Sequence, residues 1–131
     1  MTPDATTTAT TRAREVCFLI GRSGAVLWAD ASDSPSALPD SRTRWQAIWD
    51  HRDDLAEIAH SHPHGPAAFS REDETTMAAL DSALGRVLRY SVVTPRAMIV
   101  RDAGRTFTID DDHQPWWAGV LRLASGMRKE P

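Results

Sequence analysis

The chain has 131 residues, enough for one compact domain and too few for a second core. A hydrophobic share of 41% and a charged share of 25% are ordinary for a globular protein, and a net charge of −3 without a Lys/Arg cluster offers no basic stripe to nucleic acid or acidic lipid. Cys17 is the only cysteine, which excludes an internal disulfide framework and cysteine-rich zinc sites and makes the reducing cytoplasm the expected compartment.

Residues 1–13 are rich in Thr and carry little to bury, so they read as a disordered tail before one domain over 14–131. They lack the apolar centre of a secretory signal, and no run in the chain approaches the ~20 apolar residues that span a bilayer. Glu15 to Gly21 (EVCFLIG) reads as a buried strand, 21–24 (GRSG) as a turn, and Ala25 to Ala29 (AVLWA) as the returning strand of a hairpin. Residues 31–41 hold Ser, Asp and Pro in close succession and form a loop. Trp45, Ile48 and Trp49 follow at helical spacing, predicting a helix from about Ser41 to Asp53.

Leu55 to Ala59 (LAEIA) is a short strand running into His60, and Pro63 must end any ladder because proline has no N–H to give. Ser70 opens the next helix as an N-cap, with Glu72, Asp73 and Glu74 in the first turn. Met77, Leu80 and Leu84 supply its apolar stripe, and Gly85 lies near its end. Strands follow over Leu88–Thr94, Ala97–Arg101 and Arg105–Ile109, the last two joined by a turn at Ala103 and Gly104. A final helix starts at Pro115, a favoured first helical position, with Trp116, Val120 and Leu123 on one stripe. Helices interrupting the strand order predict an α/β fold: a single layered domain with a mixed β-sheet flanked by helices.

The chemistry concentrates in His60 to Asp73 (HSHPHGPAAFSRED). His60 and His62 are two apart in extended chain, so both imidazoles point to one face. Asp73 sits in the first turn of the following helix, and the loop between is long enough to fold that turn beneath the rings. Two imidazoles and a carboxylate suit zinc, and three protein ligands leave a fourth position open, the pattern of catalytic rather than structural sites. Taken singly, Asp73 is a first-turn acid favoured by the helix dipole and Ser70 only a cap; their joint spacing with the histidines is what points to a site.

This segment resembles the JAMM motif of the JAB/MPN metalloproteases: His-x-His-Pro, seven residues between His62 and Ser70, then two more before Asp73. The resemblance implies a JAB/MPN-like domain with one zinc ion per chain held by His60, His62 and Asp73, and Ser70 as a donor to the tetrahedral oxyanion. It also implies a distant glutamate, acting as general base and acid, at the start of an early strand in a Glu-x-Cys-Gly pattern. Glu15 is assigned that role; the glycine after the cysteine is Phe18 here, and the run from Glu15 to Gly21 is one residue short. Other carboxylates fit less well. Glu57 is an odd number of residues from both histidines and faces away from them, and Glu72 and Glu74 point about 100° to either side of Asp73. His64, in the loop beside the motif, is expected to be exposed.

The family cuts amide or isopeptide bonds, commonly at the C-terminus of ubiquitin-like proteins or sulfur carriers. The short loop at 31–41 and the tight turn at 102–104 resemble a minimal, prokaryotic-type member. The implied substrate is a ubiquitin-like protein or its conjugate, in precursor processing or deconjugation, with its tail bound as an added strand. Two other readings stand beside it: a non-catalytic MPN-like scaffold or binding module, and a RadC-like DNA-associated member, which the charge does not favour. A nucleobase deaminase is excluded, because its Pro-Cys-x-x-Cys segment needs two cysteines. Trp116 and Trp117 have two readings, a partner surface or packing of the last helix on the sheet, the second being the commoner use.

Overall fold

A computed structural model describes residues 13–39 and 41–127. The expected Thr-rich tail thus lies, except for Ala13, outside the described residues. The elements run β1 (Val16–Gly21), β2 (Val26–Ala31), α1 (Arg42–Asp50), β3 (Leu55–Ser61), α2 (Arg71–Leu84), β4 (Arg89–Val93), β5 (Met98–Asp102), β6 (Arg105–Thr108), a 3-10 turn (Asp111–His113) and α3 (Trp116–Ala124). The strands form one sheet in the order β2-β1-β3-β4-β5-β6. Its sense is mixed: β3 and β4 are parallel, joined by the α2 crossover that a parallel pair requires, and the other neighbours are antiparallel. The expected α/β domain with a mixed, helix-flanked sheet is therefore present. No helix among the described residues is long and apolar enough to cross a membrane.

β1 is buried along its whole length because helices cover both faces of the sheet beside it. On one face Cys17, Leu19 and Ile58 meet Ala47 and Ile48 of α1 and Met77 and Leu80 of α2. On the other, Val16, Phe18, Ile20 and Ala59 meet Trp117, Ala118 and Leu121 of α3. Each large side chain buried in this way contributes about 1.5–3 kcal/mol. Alternation along β3 sends Ile58 and His60 toward α1 and α2, and Glu57, Ala59 and Ser61 toward α3. The β5–β6 turn puts Ala103 and Gly104 at φ of 50° and 80°, the paired positive values of a tight hairpin.

Two expectations need correction. The first helix stops at Asp50, with His51 as its C-cap, rather than at Asp53. On α3 the core face is Trp117, Ala118 and Leu121, whereas Trp116, Val120 and Leu123 are 64%, 43% and 79% exposed. Nearly every residue from Trp116 to Ala124 is apolar, so periodicity offers two competing stripes. The fully buried Trp117 shows which one packs.

Glu57 is buried on the α3 side, where its carboxylate accepts from the Ser91 hydroxyl and lies 3.6 Å from Arg89 Nε. Burial pushes its carboxyl pKa up, and Ser91 and Arg89 pull it back only in part. The native state thus holds this proton more tightly than the unfolded chain does. The stability Glu57 contributes is complete below the ordinary carboxylate range and is lost as pH rises through its raised value. Glu57→Gln, neutral throughout, is expected to melt above the wild type at about pH 8 and to lose that advantage near pH 4. A lower melting point at the alkaline end would show that the ion pair with Arg89 outweighs the desolvation.

Candidate metal centre

β3 carries its hydrogen-bonded ladder up to the site. Cys17 lies opposite His60, and the His62 N–H donates to Val93 O at 2.9 Å, so His60 and His62 both belong to extended, paired backbone. Their rings project from the same face with centroids 4.8 Å apart, and the two Nε2 atoms stand 3.0 Å from each other. His62 Nδ1 lies 3.0 Å from Pro66 O. A ring N–H donated to that carbonyl leaves the Nε2 lone pair aimed into the site, the arrangement common behind metal-binding histidines. Gly65 lets the loop pack closely on His62, since a Cβ there would stand 3.3 Å from His62 Cβ and press on it.

α2 supplies the carboxylate. Ser70 is its N-cap: Ser70 Oγ accepts from Asp73 N at 3.0 Å, and Asp73 Oδ2 accepts from Ser70 N at 2.8 Å. This capping box satisfies two N–H groups that a helix start leaves open. It also turns the Asp73 carboxylate toward the rings, with Oδ1 3.3 Å from His60 Nε2 and Oδ2 3.5 Å from His62 Nε2. Behind it, Glu74 forms a two-pronged ion pair with Arg101 of β5, at 2.9 and 2.8 Å, which ties the first turn of α2 to the sheet.

Glu15 enters from the end of β1. Its N–H donates to Ser34 O at 2.8 Å and its C=O accepts from Ser32 N at 2.9 Å. The next residue, Val16, donates its N–H to Ser61 Oγ at 2.9 Å. Gripped on both sides, Glu15 is only 6% exposed, and its carboxylate lies with the His60 and His62 ring nitrogens in a group whose ligand atoms are all within 4.8 Å of one another. This buried Glu/His/His group can hold a metal ion, and Asp73 approaches the same two nitrogens.

The electrostatics separate the two carboxylates. Burial pushes Glu15 above its ordinary range, with Asp73 adding to the rise and the histidines opposing it. Burial also works against the charge on Asp73, yet the adjacent His60 and His62 rings and the Ser70 N–H hold it well below the usual carboxylate range. For His62, burial favours the neutral ring, but Asp73 and the Pro66 carbonyl outweigh it and keep its pKa raised.

The structure thus brings together Glu15, His60, His62, Ser70 and Asp73. Glu57 is on the opposite face with Ser91, Glu74 is engaged by Arg101, and His64 is exposed. Sequence reasoning missed the Pro66 carbonyl, Ser61, and the Ser32 and Ser34 backbone groups. Backbone acceptors leave no residue-type signal. Ser61 is legible only as a small polar residue between the two histidines.

Ser70→Ala is expected to remove the side-chain half of the capping box and lower stability by about 1 kcal/mol, within 0.5–2. Ser70→Asn, which keeps the acceptor, is expected to recover most of that loss in thermal melts. Equal losses in both variants would show that the cap is not the source.

A comparison with curated proteins finds no match. The family model described as prokaryotic homologs of the JAB domain matches residues 7–112, a span that takes in β1, the whole of the His60–Asp73 segment and the remaining strands of the sheet. The chain belongs to the prokaryotic JAB-domain family.

Proposed function

We propose that this protein is a zinc-dependent hydrolase that cuts amide or isopeptide bonds at the C-terminus of a ubiquitin-like protein, in precursor processing or deconjugation. The observation that carries the reading is the convergence of His60, His62 and Asp73, with the buried Glu15 carboxylate beside them. Two imidazole nitrogens and a carboxylate already held ionised match the donor preferences of zinc. His60, His62 and Asp73 would hold the ion. When bound, zinc supplies a Lewis acid that polarises a carbonyl and lowers the pKa of water.

The chain's own groups do the rest. Glu15, raised by burial, takes a proton from the attacking water and returns it to the leaving amine; a pKa nearer neutrality serves both halves of that task. Ser70 Oγ accepts from Asp73 N, and its hydrogen has no acceptor among the described residues, so it is free to donate to the oxyanion. The substrate tail arrives as extended chain, in keeping with the short loop before α1. A cytoplasmic setting suits the single cysteine, which is buried.

Elemental analysis tests the centre directly. About one zinc per chain is expected in the wild type, with loss in His62→Ala and Asp73→Asn. Glu15→Gln is expected to retain zinc while hydrolysis of ubiquitin-like fusions falls by roughly 10²–10⁴. Ser70→Ala is expected to lower kcat by roughly 10²–10³ with zinc retained. Zinc lost from Glu15→Gln but kept in Asp73→Asn would make Glu15 the third ligand instead. A wild type that takes up no zinc, even when supplemented, would replace the hydrolase with an MPN-like binding module.

A further inference from the structure

A cavity of about 550 Å³ opens from the metal centre between the loop at 32–39 with α1 on one side and α2 on the other. Among its lining residues are Cys17, Ile58 and Tyr90 from the sheet, Ile48 from α1, and Met77 and Leu80 from α2, all buried. These six carry no charge, although Glu15, Arg44, Glu72 and Asp73 also line the cavity. The nearest guanidinium, Arg44, is already engaged by both Asp30 oxygens, at 3.3 and 3.1 Å, and by Pro39 O. This volume, which includes the space around His60, His62 and Asp73, lies within the range of sites that enclose a whole small ligand. Left to water, its apolar walls would go uncompensated.

The position of the cavity indicates which part of a substrate enters it. Glu15 and Cys17 are two apart on β1 and face the same way, so the apolar recess begins about 7 Å along the strand from the proposed proton carrier. In the hydrolysis, the water oxygen bonds to the carbonyl carbon and the C–N bond breaks. One water proton passes through Glu15 to the leaving nitrogen, and the other stays with the released acid. The leaving amine must therefore stand at Glu15, at the mouth of the recess.

We propose that this cavity is a leaving-group pocket, and that it selects substrates whose amine-side residue carries a bulky apolar side chain of leucine or phenylalanine size. The proposal rests on the hydrolase reading but is tested separately. Methyl resonances of Ile58, Met77 and Leu80 are followed in the metal-free full chain during titration with leucinamide, phenylalaninamide, glycinamide and N-acetylleucine. The first two are expected to shift these methyls, and glycinamide is not. In zinc-loaded protein, of two peptides that share one acyl side, the one with leucine on the amine side is expected to exceed its glycine counterpart in kcat/KM by roughly 10- to 100-fold. Thr76→Trp, at the exposed rim of the cavity, is expected to bring that ratio toward one. N-acetylleucine shifting the methyls while leucinamide does not would overturn the assignment, as would equal turnover of the two peptides. Binding of leucinamide without hydrolysis of any peptide would retain the apolar-amine pocket and remove the hydrolase reading beneath it.

Discussion

The reciprocal hydrogen bonds between Ser70 and Asp73 start α2 and, by the same contacts, aim a carboxylate at two imidazoles. A helix start needs acceptors for its free N–H groups. Here one such acceptor is Ser70 Oγ, and the carboxylate that returns the bond is the one that faces His60 and His62. The folding requirement and the chemical one are met by the same two side chains. The loop from Pro63 to Phe69 is thus fixed at both ends, by the His62 bond to Val93 at one and the Ser70–Asp73 cap at the other, with His62 Nδ1 on the Pro66 carbonyl between them. The loop is free to vary in sequence only where those anchors do not reach.

The rest of the fold serves to hold β1 and β3 in register beneath that helix start. Antiparallel pairing sets Cys17 opposite His60 and so brings Glu15 beside His62. Three covering contacts keep the end of β1 from fraying: Ser61 Oγ on the Val16 N–H and the two bonds to the Ser32–Ser34 loop. Strand alternation then divides labour between the faces of β3. His60 points to the site, while Glu57, three residues earlier, points to the α3 side and forms a separate buried pair with Ser91. A one-residue slip would exchange them, placing a carboxylate in the cavity and an imidazole against α3, so burial on both faces pins the register that the site depends on.

Much of this was legible in the sequence because it rests on local rules. Period-two spacing gave His60 and His62 one face, and a serine followed three residues later by an acid marked the start of α2. The length of β1 and the β5–β6 turn at Ala103 and Gly104 follow from equally local signals. What could not be read depends on tertiary choice. On α3, Trp116, Val120 and Leu123 form as good a stripe as Trp117, Ala118 and Leu121. Only the room left by Phe18, Val93 and Met98 on the sheet selects the second. The Pro66 carbonyl behind His62 is a backbone group with no signature, and the cavity between α1 and α2 exists only once both helices are docked.

Whether Glu15 is a fourth ligand or a proton carrier turns on how its surroundings differ from those of Asp73. Glu15 is buried and Asp73 half-buried, which alone would raise both. Asp73 receives a backbone N–H and faces two imidazoles, enough to keep it ionised against that cost. Glu15 has no hydrogen-bond donor to its carboxylate among the described residues; burial outweighs the opposing pull of His60 and His62, and the charge on Asp73 adds to the rise. A group held permanently as an anion suits a ligand; one poised to gain and lose a proton suits acid–base work. When neighbouring environments drive two carboxyl groups apart in this way, they fit Asp73 to the proposed ligand role and Glu15 to the proposed proton transfer. His60 and His62, with the Ser70 N–H of the capping box behind them, hold Asp73 as the anion, and that anion in turn favours the protonated form of Glu15.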